Sequence, residues 1–304
     1  MSISMQKFLN RLKIDNAACN ELNPSYIKPV QLQKLEQAWG FEIPPNYIDW
    51  DTEKVLYLNL SFTPNLDLTA LSNLPDLVGL SLLHSKVTDI SVVKHLPKLT
   101  YLEVSYSSIY DFSILKNLLL LEDLSVDNTR FNNIDLLNSP DLEILNCNNT
   151  RIRTLSGIEH FKKLNWLTIS NSKINDLSPL QGLPLKYLDI SGINANLNPI
   201  SELSLEFLDI SNTDTKVIPC VNPAYLIDLI LNFTKIVDIS EISKYHNLET
   251  FVAVGCDIQD FTPLLELPKL QELTVGKGKL SKKQQAMFDD KNIEINFYEE
   301  STYY

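Results

Sequence analysis

Apolar residues return along this chain in one short phrase, Leu-x-x-Leu-x-Leu, followed by a polar turn and two more apolar positions. Aligning the first residue of each phrase gives anchors at Val55, Leu77, Leu99, Leu121, Leu142, Leu164, Leu185, Leu205, Leu226, Leu248 and Leu270, in steps of 20 to 22 residues. A beat held over so many copies marks an array of one supersecondary unit stacked on itself. Position 4 of the unit is leucine from Leu58 to Leu229, then Phe251 and Leu273. Position 6 is apolar throughout, as in Leu60, Val104, Cys147, Ile190 and Val275. Residues two apart on a strand share a face, so both positions point into one core. Positions 11 and 14, for example Ile109 and Phe112, carry that core around the coil. Position 9 is polar between apolar neighbours: Ser85, Ser107, Thr129, Thr150, Ser172, Thr213, Thr234, with Cys256 last. A buried hydroxyl needs a partner, and the spacing predicts a ladder of these groups tying successive turns together.

These phrases resemble the leucine-rich repeat, in the 22-residue form found in internalins and in the nuclear regulatory subunit of protein phosphatase-1. Lys173-Ile174-Asn175-Asp176-Leu177-Ser178-Pro179-Leu180 and Asp257-Ile258-Gln259-Asp260-Phe261-Thr262-Pro263-Leu264 lie close to that pattern. The resemblance spans about residues 55 to 291. It implies an α/β solenoid, curved, with parallel strands on a concave face and turns or 3-10 segments on the convex side. The register is poorest at Asn65-Leu66, at residues 193–198 and at residues 214–221.

The expected organisation is a helical N-terminal cap over residues 1–54, repeats over 55–269, and a last repeat with a C-terminal cap over 270–304. An array exposes its core at each end unless it is capped. Pro29 can open a helix that Gly40 closes. The run from Lys279 to Phe288 reads as a second helix, and Ile293, Ile295 and Phe297 alternate like a final strand. Residues Leu35 to Tyr47 are also similar to the opening of the yeast cell-wall-synthesis regulator superfamily, which includes bacterial toxin-immunity proteins. Ile43 stands there in place of the expected leucine.

Lys plus Arg number 26 and Asp plus Glu 38, a net charge of -12. Such a surface repels nucleic-acid phosphate and anionic lipid and favours a basic protein partner. No apolar run reaches the ~18 residues of a membrane span, and the first residues lack a signal-peptide pattern. With four scattered cysteines, this predicts a reducing, cytoplasmic setting.

No phosphate loop, metal-ligand spacing or nucleophile constellation appears, so neither catalysis nor a cofactor is expected. His95, His160 and His246 fall late in their repeats, and His84 reads as isolated at a strand end. What remains is the strand face opposite the core, positions 3 and 5, which carries no Lys or Arg. Trp166, Tyr187 and Phe207 occupy consecutive rungs there, with Asp189, Asp209 and Asp228 beside them. Glu103, Glu122, Asp123 and Asp127 form an earlier acidic group, and Tyr101 stands at position 3 beside it. Aromatic anchors dominate protein hot spots, and neighbouring acids would pair with Lys or Arg of a ligand. These residues are therefore the candidate partner-binding set for a non-enzymatic interaction module. The alternatives are rings that only shield one another and a bacterial effector or toxin-immunity protein using the same surface.

Overall fold

The computed structural model describes residues 29–43, 48–51, 54–63 and 66–299. The expected cap before residue 29, and Pro44 to Tyr47 of the second resemblance, lie outside the described residues. The chain divides into two compact units, residues 1–151 with 161–163 and residues 152–160 with 164–304.

The first unit opens with helix α1, Val30–Trp39. Pro29 stands at its N-cap, and Gly40, at φ 73, ends it with its N–H on the Glu36 carbonyl. Strand β1 (Ile48–Asp51) runs antiparallel to β2 (Lys54–Asn59). Strands β3 (Gly79–Ser81), β4 (Tyr101–Glu103), β5 (Asp123–Ser125) and β6 (Ile144–Asn146) follow in parallel. The second unit carries β7 (Trp166–Thr168), β8 (Tyr187–Asp189), β9 (Phe207–Asp209), β10 (Asp228–Ile230), β11 (Thr250–Ala253), β12 (Glu272–Gly276) and β13 (Glu294–Tyr298). All its strands pair in parallel and in chain order. Helix α2 (Lys282–Asp289) lies between β12 and β13 and starts with a capping box between Ser281 and Gln284.

The repeat positions explain the coil. The position-4 leucines, from Leu58 through Leu229, are completely buried, as is most of position 6. Side-chain oxygens of Asp67, Asp89, Asp111, Asp176, Asp238 and Asp260 accept from the backbone N–H two residues on, starting the 3-10 turn on the return side. This is the Asx turn that Asp favours. At position 8 the backbone enters the left-handed region in ten successive coils, from Phe62 (φ 62) through Asn128 (φ 55) and Asn171 (φ 53) to Gly255 (φ 70). The N–H there still reaches the neighbouring coil, as from Tyr106 to the Asp127 carbonyl at 2.8 Å. At Gly255 an added Cβ would run into the Phe233 ring, so close approach as well as φ calls for glycine.

The expected position-9 ladder takes another form. Thr63, Thr129, Thr150, Thr213 and Thr234 each donate to the position-6 carbonyl of their own coil at 2.6–2.9 Å, closing the turn rather than bridging coils. Only the last of them also meets a neighbouring coil, through Cys256 Sγ at 3.4 Å. Position 7 makes the bridge. Ser105 Oγ, Asp127 Oδ1, Ser211 Oγ and Asn232 Oδ1 accept the backbone N–H of Asp127, Asn148, Asn232 and Val254 on the next coil.

Candidate functional site

On the second unit, parallel pairing places Trp166 beside Tyr187 and Tyr187 beside Phe207. In-register strands lie about 4.8 Å apart, which invites flat rings to lie face on face. The Trp166 and Tyr187 rings stack with centroids 3.4 Å apart and planes 7° apart, and Tyr187 and Phe207 at 3.9 Å and 5°. Trp166 keeps 9% of its surface, while Tyr187 and Phe207 are half-buried. The stripe thus shields its own faces and offers ring edges and the outer face of Phe207.

Position 5 of the same strands sets Asp189 directly against Asp209, and Asp228 follows Phe207 along the other row. Each paired carboxylate accepts its own coil's position-7 N–H, Asp189 from Ser191 at 2.9 Å and Asp209 from Ser211 at 2.7 Å. Burial pushes the Asp209 carboxyl up to about 6, against the Ser211 hydrogen bonds and with the help of the Asp189 charge. Asp189 is raised too, by burial. Tyr187 is held well above the usual phenol range by burial first and then by Asp189, Asp209 and Asp228.

On the first unit the candidates Tyr101, Glu103 and Asp123 are buried, with Tyr101 at 0%, Glu103 at 5% and Asp123 at 4% exposure, and Asp127 is half-buried. The expectation of an open acidic face is corrected for these coils. Gly79 leaves a gap between Tyr57 and Tyr101, whose rings close over it with centroids 6.1 Å apart. Glu103 lies between Ser81 and Ser125 on the flanking strands and accepts from the Ser105 N–H at 2.8 Å. Burial raises its carboxyl to about 7, with Asp127 adding to the shift. Asp127 is committed to the coil-to-coil bridge through Asn148.

His84 is not isolated. Its ring stacks on Phe62 at 5.1 Å and on Tyr106 at 4.1 Å, with planes 16° and 20° apart. All three are position-8 residues, a row the strand-face reading passed over. The signal was present in the repeat register, which puts Phe62, His84 and Tyr106 at one position.

Among the described residues no three His, Cys, Asp or Glu side chains are grouped to hold a metal ion. No helix among them is long and apolar enough to cross a membrane.

A coil of 20 to 22 residues, with a three-residue strand, a left-handed position 8 and a 3-10 return, defines the leucine-rich-repeat fold in its internalin-like form. The chain is similar to the crystal structure of an internalin (inlF) from Listeria monocytogenes, with TM-score 0.69, 21% identity and 90% of each chain covered. It is also similar to the leucine-rich-repeat ectodomain of a membrane receptor kinase from Arabidopsis thaliana, solved in complex with Casparian strip integrity factor 2. That match has TM-score 0.53 and 17% identity, covering 74% of this chain and 33% of the receptor. No family model matches the chain and no curated protein does, so the second, N-terminal resemblance gains no support.

Proposed function

We propose that this chain is a non-catalytic protein-interaction module, and that the outward strand face of its second unit takes a basic segment of a protein partner. The observation that carries this reading is the ring stack of Trp166, Tyr187 and Phe207 running alongside Asp189, Asp209 and Asp228. Ring edges and the Phe207 face offer apolar contact, and the acids offer charge-assisted bonds to Lys or Arg. The half-buried setting strengthens such bonds relative to open solvent. The Arabidopsis ectodomain shares the fold and is solved with a bound factor, which fits use of the fold for binding. Domain roles follow from the same reading: residues 55–269 present the surface, and the segments around them cap it.

The test is affinity capture from native lysate by wild type, Asp189→Lys/Asp209→Lys and Trp166→Ala/Phe207→Ala, each with an unchanged circular dichroism spectrum. A basic partner held by wild type and lost by both variants is expected. Retention by both folded variants overturns the reading.

A further inference from the structure

The position-8 row of the first unit has features the strand face does not explain. Six of the ten left-handed residues in this row, Asn128, Asn149, Asn171, Asn212, Gly192 and Gly255, are types that adopt positive φ readily. Of the other four, Phe233 (φ 56) is half-buried; Phe62 (φ 62) and Tyr106 (φ 57) are bulky residues that store strain in this region, and His84 (φ 53) stands between them. These last three occur on consecutive coils, and nothing covers them: Phe62 is 70% and Tyr106 50% exposed, and His84 is exposed as well. Their stacked rings form an apolar ridge running from one coil to the next. Burial does not account for these side chains, and backbone preference opposes Phe62 and Tyr106.

The charged residues at positions 10 and 12 of these coils have one sign. Position 10, two residues further round the coil, carries Lys86, Arg130 and Arg151, all exposed. Elsewhere many lysines are tied to acids on neighbouring coils, as Lys98 is to Asp76 and Lys163 to Asp141. Among the described residues Lys86, Arg130 and Arg151 join no ion pair. Positions 8, 10 and 12 of these coils contain no Asp or Glu, in a chain of net charge -12. Consecutive coils set Arg130 and Arg151 about one strand spacing apart at the backbone, joined by the Arg151 N–H to Phe131 carbonyl bond of 2.8 Å.

We infer that this rim of the first unit is a second docking surface, and that its occupant is an acidic protein segment bearing a large apolar side chain. The apolar residue packs on the Phe62–His84–Tyr106 ridge, and carboxylates pair with Arg130 and Arg151. Arginine's planar fork suits carboxylates, and unpaired arginines leave that capacity open. A nucleic acid would meet the same cations, but the overall negative charge opposes a polyanion and the ridge offers ring edges to a side chain. This surface is independent of the acidic face of the second unit and calls for a partner of opposite charge.

The experiment selects a random phage-displayed peptide library on the immobilised full chain, then measures selected peptides by fluorescence anisotropy. The measurements compare wild type, Phe62→Asn/His84→Asn/Tyr106→Asn, Arg130→Glu/Arg151→Glu and Asp189→Lys/Asp209→Lys. The asparagine variant installs the residue other coils carry at this position, so it is expected to melt no lower than wild type. The arginine variant alters only exposed side chains. Acidic peptides with an aromatic or large aliphatic residue are expected to be selected and to weaken at least about tenfold in both first-unit variants. They should bind Asp189→Lys/Asp209→Lys undiminished, which separates this surface from the one proposed above. Failure to select acidic peptides, or their binding with wild-type affinity to either first-unit variant, overturns the inference. Tighter binding of a labelled single-stranded oligonucleotide than of any peptide, lost in the arginine variant, reassigns the row to nucleic acid and also overturns it.

Discussion

Glu103 has more to lose than to gain by ionising. It is 5% exposed, lies between two buried serines, and has Asp127 near enough to add repulsion. Its carboxyl stands at about 7 in the fold against an ordinary 4.5. Between those values the unfolded chain has released the proton and the folded chain retains it, so stability falls as pH rises from about 4.5 to 7 and is level above. The span corresponds to about 3 kcal/mol at one pKa unit per ~1.36 kcal/mol, as an upper figure. Glu103→Gln keeps an acceptor for the Ser105 N–H and removes the titration. Urea midpoints should therefore favour the variant at pH 8 and converge with wild type at pH 4. A difference that does not change with pH would remove Glu103 as the cause. The sequence identified Glu103 and Asp123 as facing away from the core, and they do. It did not reveal that they are buried, because exposure on a parallel sheet depends on what stands one rung away. Gly79 and Ser81 on one side and Ser125 on the other let Tyr101 and Glu103 settle inward, and those contacts cross 20 residues or more of chain. The stacking of Trp166, Tyr187 and Phe207 was readable, since flat residues at one position on adjacent strands have little other choice.

At the scale of the coil, the periodic apolar positions and the Asp-x-Ser phrases specify strand and 3-10 return; α1 lies between Pro29 and Gly40 as expected, and α2 starts three residues later than the expected Lys279. The turn after β9 has no 3-10 segment, matching the poor register of residues 214–221, and there the Tyr245 hydroxyl donates to the Pro219 carbonyl at 2.6 Å. What the pattern misassigned is the slot that ties coil to coil. On most coils positions 7 and 9 are both small and polar, and between them the chain passes through the left-handed position 8. That reversal aims the position-9 hydroxyl back at its own coil and leaves position 7 facing the next one. Asn232 tests the assignment, because its side chain accepts the Val254 N–H at 2.7 Å. Asn232→Ala should lose about 1–2 kcal/mol, a hydrogen bond with a partly buried donor left behind. Asn232→Ser should recover most of that, since Ser105 and Ser211 serve in the same slot. Chemical denaturation of the three proteins checks both, and equal losses for Ala and Ser would mean the bridge contributes nothing.

Across the whole molecule, charge is sorted rather than merely abundant. The outward strand rows have no Lys or Arg, the position 8, 10 and 12 rows of the first unit have no Asp or Glu, and the total is -12. Sorting of this kind steers a partner's approach as well as holding it. It also makes binding at the second unit depend on pH. Asp209, raised to about 6, faces Asp189 across the strand pair and has Tyr187 nearby. Below that value the carboxyl is neutral and has no charge to give a Lys or Arg; above it the charge is present and only partly screened. A basic peptide that binds this face should therefore bind more tightly as pH rises from 5 to 7.5, at constant ionic strength. The bound cation would draw the Asp209 titration downward, so the midpoint of the change should lie below that of the free protein. Asp209→Asn should bind the peptide more weakly at pH 7.5 and lose most of the pH dependence, leaving the shallower contribution of Asp189. Wild-type affinity that is flat over this range would mean that the paired carboxyls are not the groups in contact, and would move the basic segment elsewhere on the chain.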